Sequence, residues 1–354
     1  MLPSHCLNQS RTMEIEFHYY MTYLIAARAG FSPGEAETVA YASQYVDKNN
    51  RIYKIDPGKP TAYENYITQT LNILKPKSEL MRIYPTFHFI PGEPLAPTAQ
   101  RKDGKLHRLN TTPNSRNANL IFDTALDSGD LYRIGIAAHS YADTWAHQNF
   151  VGYYDVFNAM KGVFSAALPN IGHADAKHKP DQPALVWTDC RLISTHARVS
   201  NRVRFLEAAE HLFYKLRRCV DRTCLQTHMK QEANILRADL NWAIGPEDPK
   251  NHYRRDRIQR YLALSQRPAY GGHRLAKFDQ RLWFDQAVDH TIHGISDHHK
   301  ILSKFDPRKD EYAWKSNYLD SHWYRFQEAA KAQQKSAWGI LCDRTLTHLE
   351  LVNL

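Results

Sequence analysis

The segment 135–152, GIAAHSYADTWAHQNFVG, constrains this chain more than any other stretch of it. His139, Asp143 and His147 stand at i, i+4 and i+8. Each four-residue step on a helix turns about 400°, so the three side chains drift only about 80° round the axis while climbing about 12 Å. They form one polar stripe. The remaining faces carry Ile134, Ala138, Tyr141 and Trp145, with Gly135, Ala137, Ala142 and Ala146 between them. A helix apolar nearly all round is a buried one, and a buried carboxylate between two histidines must be paired or hold a cation. Imidazole nitrogen and carboxylate oxygen are donors that zinc accepts, and Asp143 in the middle can bridge two metals. The plainer alternative is a carboxylate that only orients one histidine.

Helical periodicity dominates elsewhere. Residues 14–29 stop at Gly30, a C-terminal cap, and Ser32-Pro33-Gly34-Glu35 opens the next helix with a capping box and a proline in its first turn. Further helices are predicted near 61–75, 116–127, 131–147, 155–167, 200–220, 225–242, 253–265, 278–302 and 317–351. Strand-like alternation is nearly absent, so the expected fold is all-α, a multi-helix domain with little or no sheet. Hydrophobic residues at 43% and charged residues at 23% exclude collagen-like, disordered and coiled-coil chains. We expect an N-terminal arm over 1–13 and a single helical domain over 14–354. Within it, 14–190 would form the metal-site core and 191–354 a helical C-terminal half. Its aromatics, among them Trp323, Tyr324 and Trp338, read as core.

A tetrahedral metal needs donors from other elements. Asp47 ends the second helix on the face of Ala36, Val39, Ala40 and Ser43, an unfavourable place for an unpaired charge near the negative end of the helix dipole. His88 lies in RIYPTFHFIPG, which reads as extended chain entering a turn. His18 shares a face with Met21 and Ile25. The loop GHADAKHKPD supplies His173, Asp175, His178 and Asp181. Of these, His173 reads as a ligand and the lysine-flanked His178 as solvated; Asp175 and Asp181 are equal candidates for the carboxylate.

Five cysteines without a CxxC pair fit neither a disulfide framework nor a thiolate zinc site, and read as reduced packing residues. No run approaches the roughly 18 apolar residues of a membrane helix, and the first residues lack a secretory signal pattern. A cytoplasmic location is therefore expected, with non-classical export as the alternative. The net charge of +9 gives a long-range attraction toward phosphate-bearing partners.

Two other segments compete. In DQAVDHTIHGISDHHKIL, Asp289, His293 and Asp297 repeat the i, i+4, i+8 spacing beside His290 and His298, but Gly294 and Ser296 interrupt the helix, which favours a solvated face. Arg254, Arg255, Arg257 and Arg260, interleaved with Tyr253 and Tyr261, could track a nucleic-acid backbone, though a solvated helix face is the preferred reading. There is no His-Asp dipeptide, HExxH, Walker loop or GxSxG, which removes the HD phosphohydrolase, zincin, P-loop and esterase readings.

The H-x3-D-x3-H helix, an upstream helical histidine, an Asp closing the following helix, an intervening histidine and a later Gly-His loop together resemble the zinc-dependent phospholipase C and S1/P1 nuclease superfamily. The nearest likeness is to its glycosylphosphatidylinositol phospholipase D-like branch. Secreted members commonly place five residues between the central Asp and the next His, against three here. The resemblance implies one to three zinc ions and phosphodiester cleavage. Asp47, His88, His139 and Asp143 would hold one metal; His147 and His173 with Asp175 or Asp181 a second; His18 with Asp143 a third. The implied substrate is a phospholipid head group or nucleic acid, with transient contact to an anionic membrane surface. Zinc brings the pKa of bound water toward about 7, and a free carboxylate such as Asp47 or Asp175 could take its proton. Asp47, Asp143 and Asp175 are thus the expected catalytic carboxylates. A structural metal that only staples the helices is the non-enzymatic alternative.

Overall fold

The computed structural model describes residues 15–70, 77–160, 172–293 and 309–349. A π-helical turn, Glu16–Met21, runs directly into α1 (Thr22–Ala29), which Gly30 ends at φ 105°. α2 (Pro33–Tyr45) opens with the expected capping box: Ser32 Oγ accepts from Glu35 N while the Glu35 carboxylate accepts from Ser32 N at 2.8 Å. Next come β1 (Lys54–Ile55), β2 (Tyr63–Glu64), α3 (Lys77–Phe87), α4 (Arg116–Asp127) and α5 (Leu131–Ala146). A second stretch carries β3 (Val186–Thr188), α6 (Ser194–Ala197), β4 (Arg198–Ser200), α7 (Asn201–Val220), α8 (Gln226–Ile244) and α9 (Arg254–Ser265). The chain closes with α10 (Leu282–Ala287), β5 (Val288–His293), β6 (Lys309–Trp314) and α11 (His322–Leu341). The fold is mainly helical. No described helix is long and apolar enough to cross a membrane.

α5 is the central helix, packed against α2, α3, α4, α7 and α11. Asp130 caps its first turn, accepting from Tyr132 N and Arg133 N. Every residue from Ile134 to Ala146 is buried, as expected for a helix apolar on most faces. Gly135 sets the spacing to α2: a Cβ there would stand 2.5 Å from Val39 O and 2.7 Å from Ala42 Cβ. Trp323 and Trp338 of α11 are core residues, whereas Tyr324 is half-buried.

Three predicted helices differ. Residues 61–75 hold β2 instead of a helical start. Asn65 accepts from Tyr53 N and donates to Arg51 O, and Thr68 donates to Val46 O, so side chains pull this backbone into extended pairing. Residues 71–76 lie outside the described residues. At 155–167 only a 3-10 turn, Val156–Asn158, is described before residue 160, because the Asn158 amide engages Val151 N, Val151 O and Tyr153 O. In the predicted 278–302 helix, the described part forms α10 followed by β5, where Val288, Thr291 and Ile292 suit a strand, and residues 294–302 lie outside the described residues. β5 pairs antiparallel with β6, β6 parallel with β1, and β1 antiparallel with β2, giving the sheet order β2-β1-β6-β5. β3 and β4 form a separate pair. Sheet is thus present where almost none was expected.

The basic cluster on α9 is also different from its sequence reading. Arg257 is buried, not solvated: it donates to both Glu16 oxygens at 2.9 Å and to Asp248 Oδ2 at 2.8 Å. Arg260 donates to Ala243 O. These arginines tie α9 to the Glu16 turn and to the loop after α8, which removes them from any backbone-tracking surface.

Candidate metal centre

The α5 stripe meets residues from four other elements. His18 comes from the Glu16–Met21 turn, Asp47 from the turn after α2, His88 from the residue after α3, and His173 and Asp181 from the 172–185 loop. His88 follows a helix, not extended chain. Tyr84 O accepts from both His88 N and Phe89 N, which ends α3 just where the ring must turn inward.

Backbone carbonyls set the ring orientations. His139 Nδ1 lies 2.8 Å from Ser43 O and His88 Nε2 lies 3.0 Å from Thr68 O. A carbonyl only accepts, so each of these nitrogens carries its proton. In neutral rings the inward nitrogens, His139 Nε2 and His88 Nδ1, are therefore bare, yet they face each other at 3.1 Å. Two lone pairs at that distance require a proton or a cation between them. Burial, with His18 adding to it, pushes His139 down to about 4, which disfavours a second proton on that ring at neutral pH. Asp143 Oδ2 stands 3.3 Å from His139 Nε2 and 3.4 Å from His88 Nδ1; Asp47 Oδ1 stands 3.8 and 3.9 Å from the same atoms. Zinc bonds of about 2.0–2.1 Å at tetrahedral angles place donors about 3.4 Å apart, so Asp47, His88 and His139 form one group near the spacing of a metal's ligands, and His18, His139 and Asp143 another.

Asp143 is shared. Its Oδ1 faces His18 Nε2 at 3.1 Å, and the His18 ring stacks on His139 at 3.8 Å. Burial alone would raise its pKa, but His147, His139 and His18 outweigh it and hold the carboxyl well below the usual range. Burial does raise Asp47, whose Oδ2 has no hydrogen-bond partner.

A second donor group lies beyond His147. His147 Nδ1 donates to His88 O at 2.8 Å, turning Nε2 toward Asp181 Oδ1 at 3.5 Å; His173 Nδ1 donates to Lys177 O, turning its Nε2 toward the same oxygen at 3.6 Å. Burial lowers His147, but Asp143 and then Asp181 outweigh it and push the imidazole up to about 9, so a cation binding here displaces a proton. Desolvation lowers His173. Phe89 stacks on His147 at 4.4 Å, and Gly172 precedes His173 at φ 54°, where a Cβ would strike the Phe89 ring. Glycine is thus needed at 172 on two counts. Among the described residues, the candidate metal groups are His18/His139/Asp143, Asp47/His88/His139 and His147/His173/Asp181.

Residues 13–341 match a family described as being of unknown function (DUF6765). The chain belongs to this family. No curated protein and no solved structure matches it.

In this DUF6765 chain, the structure brings His18, Asp47, His88, His139, Asp143, His147 and His173 together and leaves Asp175 aside. The Asp175 carboxylate accepts from Met160 N at 2.6 Å, because a 3-10 turn over Ala174–Ala176 faces it toward residue 160. The loop carboxylate at the site is Asp181. His178 is exposed. The rival segment forms no site among the described residues: in β5, His290 pairs with Asp310 and stacks on Tyr312, and Asp289 pairs with Lys315. Asp297 and His298 lie outside the described residues. Sequence reading missed the carbonyls of Ser43, Thr68, His88 and Lys177, which have no side-chain signature.

Proposed function

We propose that the chain is a zinc-dependent phosphodiester hydrolase of the phospholipase C type, a nuclease of the same chemistry being the alternative. The observation that carries this is the facing of two bare imidazole nitrogens at 3.1 Å, with two carboxylates beside them and a second donor group reached through His147. The likeness of the ligand order to the zinc phospholipase C and P1 nuclease superfamily supplies the reaction class. Asp47, His88, His139 and Asp143 would hold one ion, and His147, His173 and Asp181 another, with His18 against Asp143.

Bound zinc would acidify a coordinated water toward about pKa 7 and offset charge on the phosphate. Asp47, whose Oδ2 has no hydrogen-bond partner, would take the proton of the attacking water, and its raised pKa makes it a better base. Asp143 stays ionised among its histidines and holds them in register. Phe89 and Phe150, from a separate buried cluster, wall one side of the second group. The +9 charge draws anionic substrates and an anionic membrane surface.

The burial of His18, His139 and Asp143 favours the other reading, a closed structural metal. The second group is more open, with 20% of the His173 side chain exposed. The deciding experiment strips the protein with chelator, reloads zinc, counts metal, and assays bis-p-nitrophenyl phosphate, phosphatidylcholine, phosphatidylinositol and single-stranded DNA. One to three ions per chain and zinc-dependent turnover of one class are expected. Tight zinc with no turnover of any of them would leave the structural reading.

A further inference from the structure

α11 holds the turn that carries Asp47 from both sides. Trp323 Nε1 donates to the Tyr45 hydroxyl at 3.0 Å, and Gln327 Nε2 donates to Asn49 Oδ1 at 3.0 Å, with Asn49 Nδ2 returning to Gln327 Oε1 at 3.5 Å. Trp323 and Gln327 stand one helical turn apart on α11, Tyr45 and Asn49 are likewise four residues apart at the end of α2, and Asp47 lies midway between them. All five side chains are buried. A buried glutamine is costly unless its amide is answered, and Asn49 answers both ends of it.

Asn49 passes this restraint on to His88. Its Nδ2 donates to Tyr66 O at 2.7 Å, and its backbone oxygen accepts from Thr68 N at 3.0 Å and Gln69 N at 3.3 Å. Thr68 Oγ1 donates to Val46 O at 2.7 Å. Thr68 is thus tied to the 46–49 turn by its N–H and by its hydroxyl, while its carbonyl meets His88 Nε2 at 3.0 Å. Two donors of the first group therefore depend on one short turn, Asp47 through its own backbone and His88 through Thr68.

We propose that Gln327 and Asn49 are positioning residues of the metal centre, through which α11 fixes Asp47 and the tautomer of His88 together. The C-terminal helix is then part of the site without supplying a ligand. That the restrained donors hold zinc rests on the metal reading given above; the restraint on His88 does not.

The test compares the full wild-type chain with Gln327→Met, which nearly keeps the volume but removes the link to Asn49. Gln333→Met is the control, the same change at a buried α11 glutamine that meets Arg133 instead. Nitrogen NMR of the His88 ring is read in metal-free protein, and zinc affinity by competition against a chromophoric chelator. Wild type and Gln333→Met should show one His88 tautomer, protonated at Nε2. Gln327→Met should show a mixture of tautomers, and the zinc step that the His88 signals follow should weaken about 10–100-fold, the loss typical of removing support behind a ligand, with any other step as in wild type. If Gln327→Met does not fold, Tyr45→Phe removes only the acceptor for Trp323 and should weaken the same step about threefold. A folded variant at 327 or 45 with the wild-type tautomer and wild-type zinc affinity overturns the proposal. So does an equal loss in Gln333→Met, which would make the effect one of general stability. A changed tautomer in Gln327→Met, where the wild type takes up no zinc, would refute the metal reading alone.

Discussion

Gly135→Ala alters no metal donor, yet it should damage the centre. The new Cβ would stand 2.5 Å from Val39 O, 2.7 Å from Ala42 Cβ and 3.2 Å from Ser43 N, all on α2. Ordinary carbon contacts begin near about 3.5 Å, so α2 and α5 must separate by about 1 Å. Ser43 O, now 2.8 Å from His139 Nδ1, rides on the helix that moves. A shift of that size along the bond takes it beyond the ~3.2 Å reach of a hydrogen bond and frees the ring to turn or change tautomer. Losing such a supporting bond typically costs about 10–100-fold in metal affinity. Overpacking costs about 1–3 kcal/mol, offset by about 1 kcal/mol for replacing glycine with alanine in a helix, so the metal-free protein should lose about 0–2 kcal/mol. The assay is competition for zinc against a chromophoric chelator, with melting measured in parallel on metal-free protein. A folded Gly135→Ala protein that binds zinc as tightly as wild type would refute the claim that the Ser43 carbonyl fixes the metal-facing nitrogen of His139.

Two further outcomes follow from the same geometry. Asp143→Asn keeps the shape but removes the charge facing His18, His88, His139 and His147, so at least one equivalent of metal should be lost, with a lower Tm in zinc; His178→Ala, in the exposed loop, should change neither, and the reverse pattern in metal analysis would misplace the site. Asp189→Asn should destabilise the metal-free protein by about 3–5 kcal/mol at pH 7, because it breaks a buried pair. Burial raises the Asp189 pKa, but its hydrogen bonds from Arg191 outweigh that and hold it below its ordinary value. Its stabilising effect is therefore full above about pH 4, the unfolded value, and declines as pH falls through the lower folded value. Denaturant curves showing the gap to wild type closing already between pH 7 and 5 would contradict this sign.

What could be read from the sequence was whatever local chemistry determines. The Ser32 capping box, Gly30 and the α5 stripe each depend on residues within a few positions of one another, and each stands where the sequence placed it. β5 and β6 were not legible because their pairing brings Val288 opposite Trp314 across the intervening chain, and residues 61–70 were misread because hydrogen bonds to the distant 46–51 stretch hold them: Asn49 donates to Tyr66 O, Asn65 to Arg51 O and Thr68 to Val46 O. Helical periodicity in such stretches is a local preference that long-range hydrogen bonds override.

The same division runs through the site. Histidine and aspartate spacing on α5 identifies a face, but whether a histidine on that face offers a bare nitrogen depends on what its other nitrogen meets. For four of these histidines that partner is a main-chain oxygen: Ser43 for His139, Thr68 for His88, His88 for His147 and Lys177 for His173. Thr68 belongs to the stretch predicted as helix. In a helix, its carbonyl would be committed four residues onward; in the observed extended run it is available to His88. The misread segment is therefore part of the site, since the irregular backbone at 65–70 leaves His88 Nδ1 without a proton and aimed at His139.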